Sequence, residues 1–77
     1  MAMPKPPQTT AQMIENNFKY HEPSGSQTER YVHLRNMAKD LAIQIESCCP
    51  NSREKSLALT KLEESIMWAN ASIARNE

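Results

Sequence analysis

Glycine occurs once in these 77 residues, aromatic side chains make up 5%, and β-branched residues are few. With five prolines besides, little material is left for sheets. Net charge is also missing: nine Lys and Arg balance nine Asp and Glu. No global field draws the chain onto duplex nucleic acid or an anionic membrane, so any anion binding must come from local placement. The longest apolar runs span a few residues, far short of the roughly 18 a membrane span requires, and the N-terminus carries no hydrophobic signal core. The protein is therefore expected to stay where it is translated. The only cysteines, Cys48 and Cys49, are adjacent, with Cα atoms about 3.8 Å apart, too close for a relaxed disulfide. Free cytoplasmic thiols fit this usage better than a stapled secreted scaffold.

What remains is rich in Ala, Leu, Met, Glu, Lys and Arg, and its length suits one all-α domain. Pro4, Pro6 and Pro7 predict an irregular, disordered arm over residues 1–8. A short helix is expected after Thr9, with Gln12 at capping-box spacing, running through Met13 and Ile14 to about Phe18. Pro23 and Gly25 mark a loop that also holds Tyr20 and His21. Ser26-Gln27-Thr28-Glu29 reads as a second capping box, opening a helix with apolar positions Tyr31, Leu34, Ala38, Leu41, Ile45 and Cys48. Pro50 ends that helix, and Asn51-Ser52-Arg53-Glu54 is a further capping box. The last helix repeats the three-four step at Leu59, Leu62, Ile66, Ala69 and Ile73. The fold expected is a short N-terminal helix followed by a long antiparallel helical hairpin, all within residues 9–77. Met37, Leu57, Met67, Trp68 and Ala71 lie off the seam, which predicts a homo-oligomer whose subunits cover this surplus apolar surface.

Few residues promise chemistry. Arg30, Arg35 and Lys39 cluster on the first long helix, and Arg35 and Lys39, four apart, repel each other by a few tenths of a kcal/mol. Either both snorkel into water or they face a phosphate, for which Arg35 offers a planar fork. Tyr20, beside His21 and two residues after Phe18, either closes the small core or stacks on a nucleobase. Arg75 complements the negative end of the last helix, and shares a face with Trp68. If that face surrounds a symmetry axis, several Arg75 guanidinium groups converge and require an anion between them. No catalytic residue is assigned. Glu63 and Glu64 are adjacent and diverge on a helix, and no phosphate-cradling glycine loop is present. His21, His33 and the two cysteines lack zinc-site spacing, so no metal or cofactor is expected.

The run Ser52-Arg53-Glu54-Lys55-Ser56-Leu57-Ala58-Leu59-Thr60-Lys61-Leu62-Glu63-Glu64, with Trp68-Ala69-Asn70-Ala71 and Ile73-Ala74-Arg75-Asn76, resembles the last helix of a family of small phage proteins. These proteins counter the bacterial cyclic-oligonucleotide immune system called CBASS. Asn17-Phe18-Lys19-Tyr20-His21 and Arg30-Tyr31 resemble that family's N-terminal half, so the likeness extends from about Ile14 to Glu77. It implies a sponge, not an enzyme: a homohexamer, built as a trimer of dimers in the cytoplasm of the infected bacterial host, that sequesters cyclic dinucleotides such as cyclic GMP-AMP without cleaving them. Cyclic trinucleotides would occupy separate pockets where three chains meet. The residues expected to bind cyclic dinucleotides are Phe18, Tyr20, His21, Arg35 and Lys39; the resemblance implies stacking by Tyr20 and phosphate contact by Arg35, and gives Arg75 the trinucleotide pocket. An arginine at Arg35 departs from the family's lysine, keeping charge but changing reach. The competing expectation is a helical adaptor that grips a host protein through Met67 and Trp68.

Overall fold

The computed structural model describes residues 8–77; of the arm expected over residues 1–8, all but the exposed, non-helical Gln8 lies outside the described residues. Three helices follow one another: α1 (Thr10–Asn17), α2 (Gln27–Cys48) and α3 (Arg53–Asn76). Every regular element among the described residues is helical.

Local chemistry explains most of the boundaries. Thr9 is extended, its hydroxyl accepts from the Gln12 amide at 3.2 Å, and the Gln12 side chain accepts from the Thr9 amide at 2.9 Å. The capping box expected at α1 is thus complete. At Ser26 it is not: Ser26 makes no side-chain cap, and its hydroxyl instead accepts from Arg30 Nε at 3.1 Å. The reason is Gly25, whose φ of +56° turns the chain one step earlier. The Gln27 amide closes that turn on the Ser24 carbonyl, and the Gln27 side chain accepts from the Ser24 amide, each at 3.1 Å. Gln27 therefore does for Ser24 what Glu29 was expected to do for Ser26. At the far end, Cys49 is extended, as the residue before Pro50 must be, and α2 stops at Cys48. The cap of α3 is Ser52, not Asn51: its hydroxyl accepts from the Lys55 amide at 3.1 Å, one residue later than the Asn51–Glu54 spacing predicted.

α2 and α3, about 33 and 36 Å long at 1.5 Å per residue, pack antiparallel. Tyr31, Leu34, Ala38 and Ile45 face Leu59, Leu62, Ile66, Ala69 and Ile73, all partly covered, as their spacing predicts. Leu41 does not join them; it is 47% exposed, and Ala42 occupies the seam in its place. A straight helix of 3.6 residues per turn drifts about 20° per heptad from a strict three-four repeat, enough to exchange one position for its neighbour. Cys48, past the end of the contact, is also exposed.

The layer of two helices has no apolar residue fully buried among those described, and its deepest side chains, Gln27 and Lys55, are polar. They stand at opposite ends. At the tip, Lys55 Nζ donates to the Glu46 carbonyl at 2.8 Å and to Asn51 Oδ1 at 3.1 Å, and lies 3.0 Å from the Glu46 carboxylate. It thereby serves a C-terminal carbonyl of α2, where a cation also meets the negative helix end. At the open end, the Glu77 carboxylate accepts from Gln27 Nε2 at 3.3 Å and from both terminal nitrogens of Arg30, joining the end of α3 to the start of α2. The hydrogen bond from Arg30 to Glu77 raises the already high pKa of the guanidinium.

Candidate functional site

The loop between α1 and α2 lies beside the open end of the hairpin, where a concavity of about 420 Å³ forms. The loop contributes Lys19, Tyr20 and His21, α2 contributes Tyr31 and Arg35, and α3 contributes Asn70, Ala71, Ala74 and Arg75, with Asn17 at the edge. Its size falls within the roughly 300–1,000 Å³ usual for small-molecule sites.

Its electrostatics differ from the neutral balance of the whole chain. Lys19, Arg35 and Arg75 line the wall with no carboxylate among the lining residues. The ion pairs among the described residues use Arg30, Lys55 and Lys61 instead. Three cations share a small space without an internal counterion, so the local field favours an anion. Tyr20 is 81% exposed, with a ring face open to stacking. Asn70 adds an amide whose Oδ1 is buried without a hydrogen-bond partner. Together the cations and the ring can hold an anionic, ring-bearing ligand: guanidinium forks for phosphate oxygens and a tyrosine face for a base.

Of the residues singled out from the sequence, Tyr20, His21, Arg35 and Arg75 come together here. Arg75, expected at a second pocket, shares the wall with Tyr20 within a single chain. Phe18 does not line the concavity; it is the C-cap of α1 and 87% exposed. Lys39 lies one turn further along α2, on a neighbouring groove of about 310 Å³ that it shares with Arg35, Ala38, Ala42, Leu59, Leu62, Glu63 and Ile66. Arg35 stands where the two depressions meet.

Spacing alone places Tyr31 on the seam and marks Asn70, Ala71 and Ala74 for no site. Their signal was present: Ala71 lies four residues before Arg75, and Asn70 four before Ala74, so stepping back one turn from Arg75 finds the same face. The opposite side of the hairpin presents Met37 and Leu41 in an open apolar depression with Leu34, Leu62 and Ile66. Met67 and Trp68, expected off the seam, are 68% and 62% exposed.

Among the described residues, no group of three His, Cys, Asp or Glu side chains is placed to hold a metal ion, and no helix is long and apolar enough to cross a membrane. A family model described as Acb2/Tad1, hairpin domain, matches residues 10–74, from the first residue of α1 almost to the end of α3. No curated protein and no solved structure matches the chain.

Proposed function

We propose, for a chain that belongs to the Acb2/Tad1 hairpin family, that it is an anti-CBASS sponge which binds cyclic oligonucleotide messengers intact and withholds them from the effectors they would activate. The observation that carries this reading is the cluster of Lys19, Arg35 and Arg75 around one concavity beside the exposed ring of Tyr20. A cyclic dinucleotide offers two phosphates and two bases, the chemistry those groups complement. Tyr20 stacks on a base, a contact worth about 1–3 kcal/mol. Arg35 meets a phosphate with a bidentate fork, and Arg75 supplies charge for cyclic trinucleotides as well. No step of bond cleavage is involved, because sequestration needs only affinity and enough sites.

The site is shallow in one chain, and two copies related by a two-fold axis suit a ligand that is itself nearly two-fold symmetric. Assembly follows from stability too. A 77-residue hairpin without a fully buried apolar side chain among its described residues gains too little from its own burial to offset chain entropy. Exposed Met37, Leu41, Met67 and Trp68 supply the surface that further copies cover, and a hexamer arranged as a trimer of dimers is the assembly proposed. The exposure of Met67 and Trp68 also favours a second reading, an adaptor that binds a host helix with no nucleotide involved.

Thermal denaturation with and without cyclic GMP-AMP separates the two, because a ligand bound only by the folded state raises its melting midpoint. The sponge reading expects a clear upward shift and, after heating, recovery of the whole nucleotide. No shift with any cyclic di- or trinucleotide leaves the adaptor standing, and a cleaved product refutes sequestration.

A further inference from the structure

We propose that Asn16, which does not line the concavity, is the positioning residue that holds the Tyr20 loop in place for its ligand; this rests on the reading of Tyr20 as the stacking ring. α1 is eight residues long and its Met13 and Ile14 are 47% and 55% exposed, so apolar packing does little to fix it on the hairpin. A helix that short is not stable alone. Among the described residues, the hydrogen bond crossing from α1 to the hairpin is the one from Asn16 Nδ2 to the Arg75 carbonyl, 2.9 Å long and spanning 59 positions. The acceptor is one of the last-turn carbonyls of α3 that has no partner within its helix.

Asn16 also carries the next link. Its own carbonyl, near the end of α1, lies 2.7 Å from His21 Nε2, and since a carbonyl only accepts, that ring nitrogen bears the hydrogen. The chain of bonds therefore runs from the last turn of α3, through both polar ends of Asn16, to the residue next to Tyr20. The Tyr20 ring is 81% exposed and has almost no packing of its own, so its position is inherited from this backbone. Fixing the loop before the ligand arrives removes an ordering cost from binding.

Two measurements on the full chain test this. Hydrogen exchange without ligand compares wild type with Asn16→Ala: the hydrogen-bonded amides of residues 13–18, in the helix that carries the loop, are expected to exchange about three- to tenfold faster in the variant, the value of one hydrogen bond, while those within α2 and α3 keep their rates. Unchanged exchange at those amides overturns the proposal. Affinity for cyclic GMP-AMP is then measured in a double-mutant cycle with Tyr20→Ala. Asn16→Ala is expected to weaken binding about three- to tenfold when Tyr20 is present, and by less than about twofold when it is absent, because a residue that acts through another has no separate effect. The same loss in both backgrounds overturns the positioning role and assigns Asn16 an independent one. A wild-type chain that binds no cyclic oligonucleotide refutes the sponge reading, and with it Asn16's part in binding, and the exchange result still decides whether Asn16 holds the loop.

Discussion

At the tip of the hairpin the ammonium group of Lys55 is buried among the Glu46 carbonyl, the Glu46 carboxylate and Asn51, whereas at the open end Lys19, Arg35 and Arg75 surround a concavity that contains no carboxylate. Both ends carry positive charge at a junction between helices. At the open end Arg30 is matched by Glu77, but the three cations of the concavity have no carboxylate among its lining residues. A charge the fold depends on is matched inside the chain, since an unmatched buried charge is strongly destabilising. Charges left facing one another around an opening lower the stability of the empty protein slightly and await an anion from outside. On this comparison the tip is architecture and the open end is the working site.

The sharpest way to break the comparison is Tyr20→Ala. At about 1–3 kcal/mol per stacked base, with a ring from each of two copies, affinity for cyclic GMP-AMP is expected to fall at least thirtyfold by calorimetry, with the melting midpoint nearly unchanged. Next is the reverse case at the tip. Lys55→Met removes a donor to two oxygens and leaves the end of α2 unserved, a loss of about 2 kcal/mol and roughly 8–16 °C in the melting midpoint, with ligand affinity unchanged. Were Lys55→Met instead to weaken nucleotide binding at constant stability, the division between the ends would fail.

Arg75→Ala sharpens the picture within the open end. About a tenfold weaker affinity is expected for a cyclic dinucleotide and for a cyclic trinucleotide alike, the cost of one charge-assisted contact, because Arg75 shares its wall with Tyr20. A loss confined to the trinucleotide would separate the two ligands into distinct subsites and remove Arg75 from the dinucleotide site. The smallest effect compares the caps. Ser52→Ala is expected to cost about 1 kcal/mol in chemical denaturation, whereas Ser26→Ala, which removes no cap, stays within about 0.5 kcal/mol.

Features set by neighbours in the chain were legible from the sequence. The Thr9 and Gln12 capping box, the stop before Pro50, most of the seam and the exposure of Met67 and Trp68 follow from spacing alone. Where two local signals competed, spacing misled: Gly25 turned the chain before Ser26 could cap it, and helix drift brought Ala42 to the seam instead of Leu41. Pairings between distant residues left no periodic trace. Nothing near Glu77 announces Arg30 and Gln27 as its partners, nor does Asn16 reveal that it reaches Arg75. The candidate site was half legible for the same reason. Tyr20, Arg35 and Arg75 were notable by residue type, but their convergence with Lys19 and Asn70 exists only once the hairpin closes.

Native mass spectrometry of the full chain with cyclic GMP-AMP addresses the shared pocket directly, because subunits and ligands are counted in the same ion. The expected species is a hexamer carrying one intact nucleotide for every two chains, reduced to an empty hexamer by Tyr20→Ala. A monomer, or an assembly that gains no mass from any cyclic oligonucleotide, would contradict a site built from two copies.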